Sequence, residues 1–288
     1  MKKIQISIII LLVASIFLEF LVGPIRGYLT LPGIQALEVC AAADFLIYAL
    51  TTLYFLSKYK SDLSQIQIIG LMVLGLMLFE VPMRLVSISG TLFTIPELLM
   101  RISGIGAGYF WYERRRLIHK INLSVAVLIL LFTLAFGYDL WMKKLQYGNF
   151  TGSVSLKGPG SIYLKDKNNK NIKIEKGKLV VMDFWFVGCG SCMVEFPVFQ
   201  KVYTKYKNNL NVQFYSVNQP FKYDKDVDRF KLLTDIGYDF PMAVCPDRSL
   251  VKELEVAVYP TIIVIDTNGN IVFKGDTQNL ESALKLYL

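Results

Sequence analysis

Trp185-Phe186-Val187-Gly188-Cys189-Gly190-Ser191-Cys192 decides how this chain is read. It ends a strongly apolar, strand-like run that starts at Leu179, and it opens a segment with the pattern of a helix. Two cysteines separated by two residues at a strand-to-helix junction read as a redox centre. A helix beginning there offers unpaired backbone N–H groups and the positive end of its dipole to a thiolate. Both features lower a cysteine pKa, and the thiolate is the reactive species. A structural disulfide and half of a zinc site are the alternatives. Zinc takes four ligands, commonly a second cysteine pair or histidines. The only histidine is His119, and Cys40 and Cys245 stand alone. Haem attachment needs a histidine directly after the second cysteine, where Met193 stands. No metal and no cofactor is expected.

The surrounding half of the chain alternates strands with helices. Residues 161–164 and 172–174 read as a small hairpin. The run from 179 to 185 is apolar except for Asp183, which suits a central strand covered on both faces. A helix is expected over 191–207, kinked by Pro197, and a second buried strand over 212–217. Residues 224–236 read as an amphipathic helix and 249–254 as a short one. Pro260 introduces a strand over 261–266. Asn268-Gly269 is a strong hairpin signal, 271–274 is the returning strand, and 277–286 closes as a helix. This pattern specifies an α/β domain over 158–288 with a mixed central sheet flanked by helices. A turn-rich linker, 143–157, precedes it.

The first half is different. The chain has 288 residues, 53% of them hydrophobic, and a mean hydropathy of +0.43. Five apolar stretches, 4–22, 36–56, 66–85, 92–111 and 121–141, fill residues 1–142. A bilayer core takes about 20 residues of helix, so this half reads as an α-helical bundle of about five transmembrane helices. The second stretch carries Glu38 and Asp44, and the fourth carries Glu97 and Arg101. Such residues are expected inside the bundle, away from lipid. The net charge of +8 sits largely in alternate loops, at Lys2 and Lys3, at Lys58 and Lys60, and at Arg114, Arg115, Arg116 and Lys120. Basic residues mark the cytoplasmic side. The N-terminus is therefore expected inside a bacterial inner (cytoplasmic) membrane, and everything after Trp141 in the periplasm or outside. Charge placed this way is a topology signal, and nucleic acid is not an expected partner. Residues 23–27 read as a loop with no small-x-small cleavage site, so the first span is expected to be an uncleaved helix.

Val181-Met182-Asp183-Phe184-Trp185, the Cys189/Cys192 pair, Glu195-Phe196-Pro197, and Val258-Tyr259-Pro260-Thr261-Ile262-Ile263-Val264-Ile265-Asp266 with Gly269 together resemble the thioredoxin superfamily. Within it, the extracytoplasmic TlpA/ResA-like branch of thiol-disulfide oxidoreductases is the match. The likeness covers about 158–288, with 221–247 resembling the insertion of that branch. The membrane half carries no motif assignable to a family. The resemblance implies a membrane-anchored thiol-disulfide oxidoreductase that reduces protein disulfides, with cytochrome c maturation or envelope redox homeostasis as its setting. An oxidase or isomerase of the same fold is one alternative. A membrane transporter or assembly subunit using this domain as a binding module is another. The implied partners are protein disulfide or dithiol substrates, an unidentified upstream redox partner, and the lipid bilayer.

Cys189 comes first, lies nearest the helix start and is expected to be the more exposed, so it is the candidate nucleophile. Cys192, one turn on, is the resolving thiol. Asp183 is spaced from Cys189 like the buried aspartate that moves a proton in thioredoxins, whereas many members of the branch lack an acid there. An edge position reaching water is its alternative. By resemblance Pro260 is cis and packs on the cysteine pair, Tyr259 touches substrate, and Gly190 and Ser191 lie at the same surface. Glu195 either tunes the thiols or faces solvent. Gly188 departs from the family, which usually has tryptophan there, and Gly190-Ser191 replaces the common Gly-Pro. The peptide around Cys245 resembles a peroxiredoxin active site but lies too late in the fold, so Cys245 reads as a buried or incidental thiol. Cys40 is a lone intramembrane cysteine, and a DsbD-type relay would want a pair.

Overall fold

Each apolar run of the first half folds as a helix in the computed structural model, which describes residues 2–28, 36–222 and 227–288. These are α1 (Lys2–Tyr28), α2 (Ala36–Tyr59), α3 (Gln65–Val86), the single turn α4 (Ile88–Thr91), α5 (Ile95–Tyr112), α6 (Leu117–Phe132) and α7 (Tyr138–Tyr147). A π-helical turn, Thr133–Gly137, joins α6 to α7. Helix α1 runs through the expected loop at 23–27 to Tyr28. An apolar helix keeps its own hydrogen bonds because hydrocarbon offers no others. Among the described residues, four stretches are long and apolar enough to cross a membrane: Lys3–Val22, Leu37–Tyr59, Gln65–Val86 and Leu117–Tyr147. The expected fourth span is the 18-residue α5. Glu97 and Arg101 lower its hydropathy, and it is not one of the four.

Those charges find one another. Arg101 of α5 is buried and pairs with Glu19 of α1, with Asp44 of α2 at 3.1 Å, with Glu80 of α3 at 2.5 Å, and with Glu97 of its own helix at 3.9 Å. Tyr48 donates to Glu19 (2.5 Å), and Arg84 pairs with Glu80 (2.8 Å). One guanidinium thus ties four helices where an unpaired charge would be costly. Helices α2 and α5 also approach closely. A Cβ at Gly104 would strike the Phe45 carbonyl, and one at Gly108 the Ala49 carbonyl, the small-xxx-small device of membrane helix pairs.

The chain divides between Met142 and Lys143, and the second unit is built around one sheet. Its strands are β1 (Ser153–Lys157), β2 (Leu179–Trp185), β3 (Val212–Asn218), β4 (Met242–Val244), β5 (Thr261–Ile265) and β6 (Asn270–Gly275). They lie in the order β1-β6-β5-β2-β3-β4. β2 runs parallel to β3 and antiparallel to β5, and β5–β6–β1 continue antiparallel. The helices are α8 (Gly190–Tyr206), α9 (Arg229–Ile236), α10 (Ser249–Glu253) and α11 (Leu280–Tyr287). Every residue of β2 is buried. Alternation sends Leu179, Val181 and Trp185 to the face covered by Phe196 and Phe199 of α8 and Leu280 and Leu284 of α11. It sends Val180, Met182 and Phe184 to the face covered by Leu250, Val251, Leu254 and Leu164.

Several boundaries differ from expectation. Residues 153–157, within the expected linker, form β1 on the sheet edge. Four of its five side chains are exposed, so it carries no apolar signal. The expected hairpin at 161–164 and 172–174 reduces to one bridge, Lys165 to Asn171. Asp166 accepts from the N–H groups of Asn168 and Lys170 (2.8 and 2.9 Å), closing a turn too tight for paired strands. β4 has three residues, too few for a periodic signal. The helix expected from 224 starts at Arg229, capped by Asp228; residues 224–226 lie outside the described residues. The last helix begins at Leu280, because Thr277 is bonded to Glu195 instead.

Burial has a cost in β2. Asp183 is 1% exposed, and its Oδ1 has no hydrogen-bond partner among the described residues. Loss of hydration, with the nearby Glu195 charge adding, pushes its carboxyl well above the usual carboxylate range.

Two outcomes follow. Arg101→Leu strands buried acids without their counter-charge, and the membrane unit is expected to lose about 3–5 kcal/mol, read as thermal unfolding in detergent. Parental stability would mean the acids are held neutral without it. For Asp183, the folded state keeps a proton that the unfolded state releases near pH 4. Stability from this group is full at low pH and falls by up to about 1.4 kcal/mol per pH unit, until Asp183 ionises in the fold. Amide exchange of β2 in the full chain should show that slope, and Asp183→Asn should remove it.

Candidate functional site

The C-terminal end of β2 delivers the chain to the start of α8, and Cys189 is the residue that caps this helix. Cys189 and Cys192 form a disulfide with their Cα atoms 5.3 Å apart. Gly188, at φ +83°, makes the left-handed turn into the cap, and a Cβ there would meet open space. Glycine adopts that conformation without strain, whereas the tryptophan common in the family would not. Cys189 Sγ accepts the backbone N–H of Cys192 (3.2 Å), so one free N–H of the helix start already points at the sulfur.

Cys189 is expected to be the more exposed of the pair, and the difference is small. In the disulfide form it is 4% exposed and Cys192 is 0%. Both cysteines belong to one buried apolar cluster with Trp185 and Phe196. The openings around them are Gly188, Gly190 and Ser191, all exposed.

The loop before β5 closes the other side. Tyr259-Pro260 is a cis peptide bond. The Ser191 hydroxyl donates to the Tyr259 carbonyl (3.2 Å) and lies 3.4 Å from Cys189 Sγ. Cys189, Cys192, Ser191, Tyr259 and Pro260 are thus drawn together from two segments distant in sequence. Tyr259 also packs edge-on against Phe186 (5.3 Å), which meets Phe221 at 5.1 Å. Arg248 lies over the Phe221 ring (5.4 Å). These aromatic neighbours carry no sequence motif.

Asp183 lies on the α8-facing side of β2, not at an edge reaching water. Glu195, half-buried one turn beyond Cys192, accepts the backbone N–H of Thr277 (3.2 Å) and its hydroxyl. It does not hydrogen-bond the cysteines. Burial raises its pKa, opposed by the bonds from Thr277. Thr277 adjoins Asp276, which pairs with Lys143 at 3.2 Å. Sequence reasoning missed Thr277, Asp276 and Lys143, since no local pattern marks them. It also missed the polar tail of β3. Ser216, Asn218 and Gln219 are buried there, and the Gln219 N–H donates to the Trp185 carbonyl (2.8 Å). Polar residues at the end of an apolar strand were the available signal.

Cys245 is buried, and its thiol donates to the Asp247 carbonyl (2.9 Å). Burial, with the Asp247 charge adding, pushes it up to about 11, so it remains a protonated thiol. Cys40 is buried in the membrane unit.

The sequence profile of the Redoxin family matches residues 150–285. Thiol-disulfide oxidoreductase ResA of Bacillus thuringiensis is 25% identical over 177 residues, covering 59% of this chain and 95% of that protein. ResA of Bacillus subtilis is 29% identical over 111 residues, covering 38% of this chain and 60% of that protein. Among solved structures, the thioredoxin domain of a thiol-disulfide oxidoreductase from Bacteroides vulgatus is 22% identical, with a TM-score of 0.41, and covers 47% of this chain and 99% of that one. With the CxxC disulfide at the start of α8, the chain is a thioredoxin-fold oxidoreductase with membrane-length helices, and its C-terminal domain is similar to the Redoxin family and to ResA.

Proposed function

We propose that this chain reduces protein disulfides on the outer side of the cytoplasmic membrane. The observation that carries the reading is the disulfide whose first sulfur caps a helix and already accepts an N–H. In the dithiol form, Cys189 is the thiolate that attacks one sulfur of a substrate disulfide, and the other substrate sulfur leaves as a thiolate and takes a proton. Cys192 then loses its proton and attacks Cys189 in the mixed disulfide. The substrate departs with two thiols, and the protein keeps the disulfide. Asp183, when ionised, accepts the Cys192 proton: burial raises its pKa, which makes that carboxylate a stronger base than an exposed one. A dithiol partner upstream returns the pair to its reduced form. Cysteines of apocytochrome c, which must be reduced before haem attachment, are the substrate class we favour.

The reading separates from an oxidase by potential. A value near roughly −270 mV marks a reductant, and one near roughly −120 mV an oxidant. Cys192→Ser is expected to hold its substrate as a mixed disulfide through Cys189, identified by mass after non-reducing separation. Cys189→Ser should trap nothing and lose turnover of a protein disulfide at least about 100-fold. A Cys189→Ser chain with intact cellular function would favour the second reading, a transport or assembly task for the membrane unit. The buried Arg101 cluster is the observation behind that alternative.

We place the N-terminus in the cytoplasm, α5 as a fifth span enclosed by the others, and the second unit outside. Basic residues in alternate loops support this. Reporter fusions after Lys60 and Arg116 should report cytoplasm, and one after Tyr147 the exterior. A cytoplasmic signal after Tyr147 would end the extracytoplasmic reading.

A further inference from the structure

The Ser191 hydroxyl has one hydrogen and two acceptors within reach, the Tyr259 carbonyl at 3.2 Å and Cys189 Sγ at 3.4 Å. In the disulfide form the choice between them is settled by acceptor strength. A disulfide sulfur is a weak acceptor and a peptide carbonyl a good one, so the hydrogen goes to Tyr259. The oxygen already lies within reach of both acceptors, so rotation of the hydroxyl hydrogen about the Cβ–Oγ bond exchanges one for the other.

Reduction changes the balance. An incoming dithiol gives two electrons to the Cys189–Cys192 bond and becomes a disulfide itself. Of its two protons, one stays on Cys192 and one passes to solvent, leaving Cys189 as the thiolate. A bond from a neutral hydroxyl to an ionised acceptor is roughly twice as strong as one between neutral groups. We infer that Ser191 is a redox-switched hydrogen-bond donor, turned to the Tyr259 carbonyl in the disulfide form and to the Cys189 thiolate in the dithiol form. It joins the Cys192 N–H, which already points at the same sulfur. The thiolate then has one donor from the helix backbone and one from a side chain that changes partner. Ser191 acts through Cys189 and is a positioning residue.

A sign follows. A donor that bonds the thiolate more strongly than the carbonyl it leaves stabilises the reduced protein relative to the disulfide. Removing it raises the Cys189 pKa and favours the disulfide, which makes the protein a stronger reductant. This inference deepens the reductase reading, but its test uses no protein substrate. The full chain in detergent, as parent, Ser191→Ala and Ser191→Thr, is reduced and alkylated with iodoacetamide across a pH series, with Cys189 followed by peptide mass. The same three proteins are equilibrated with glutathione buffers. Ser191→Ala is expected to move the Cys189 profile up by about one pH unit and to shift the glutathione equilibrium about tenfold toward the disulfide. Ser191→Thr keeps the hydroxyl and should restore both. The inference is overturned if the Ala profile lies on that of the parent, or if Ala and Thr shift alike, since then shape and not the hydrogen is responsible. A chain that fails to reduce any protein disulfide would still show the shift, so the two readings fail separately.

Discussion

Seven consecutive residues of β2 are buried, and the second unit follows from that constraint. A strand buried on both faces cannot lie at an edge, so it needs a neighbour on each side and a layer above and below. β3 and β5 are the neighbours. α8 and α11 cover one face, and α10 with the segment around Leu164 covers the other. The strand's C-terminal end is then the place where the chain leaves the sheet to begin the helix that covers it. Cys189 and Cys192 lie at this junction, which is where helix N–H groups are free.

Both units bury charge, and they do so differently. In the membrane unit Arg101 has carboxylates from four helices around it, so these acids share one buried counter-charge. A lost partner there is a structural defect. In the second unit the charged influence on Asp183 among the described residues is another carboxylate, Glu195. A carboxyl kept protonated by burial is poor material for holding a fold together and good material for moving a proton. The contrast distinguishes charges that assemble a bundle from a charge held ready for chemistry.

The geometry around the disulfide adds a second level of control. Helix capping by Cys189 is local, set by residues three apart. The Ser191 contact to Tyr259 spans 68 positions and joins the two segments that define the site. The bond of Thr277 to Glu195 spans 82 and draws Glu195 away from the cysteines. Each bears on which groups lie near the sulfur.

The amino-acid sequence by itself determined the division into an apolar helical half and a mixed α/β half, the central strand, the cysteine pair at its end, and the β5–β6 hairpin turn. Each rests on a pattern within one element: hydrophobic runs, a two-residue spacing, an Asn-Gly turn. Tertiary structure alone decided the rest. β1 and β4 exist as strands because β6 and β3 offer them an edge, and their own residues are too exposed or too few to announce it. Arg101 of α5 is countered by Glu19, Asp44 and Glu80 on three other helices. Both cysteines are buried in one apolar cluster with Trp185 and Phe196. These outcomes depend on the energy of groups brought together from distant positions, which no local spacing encodes.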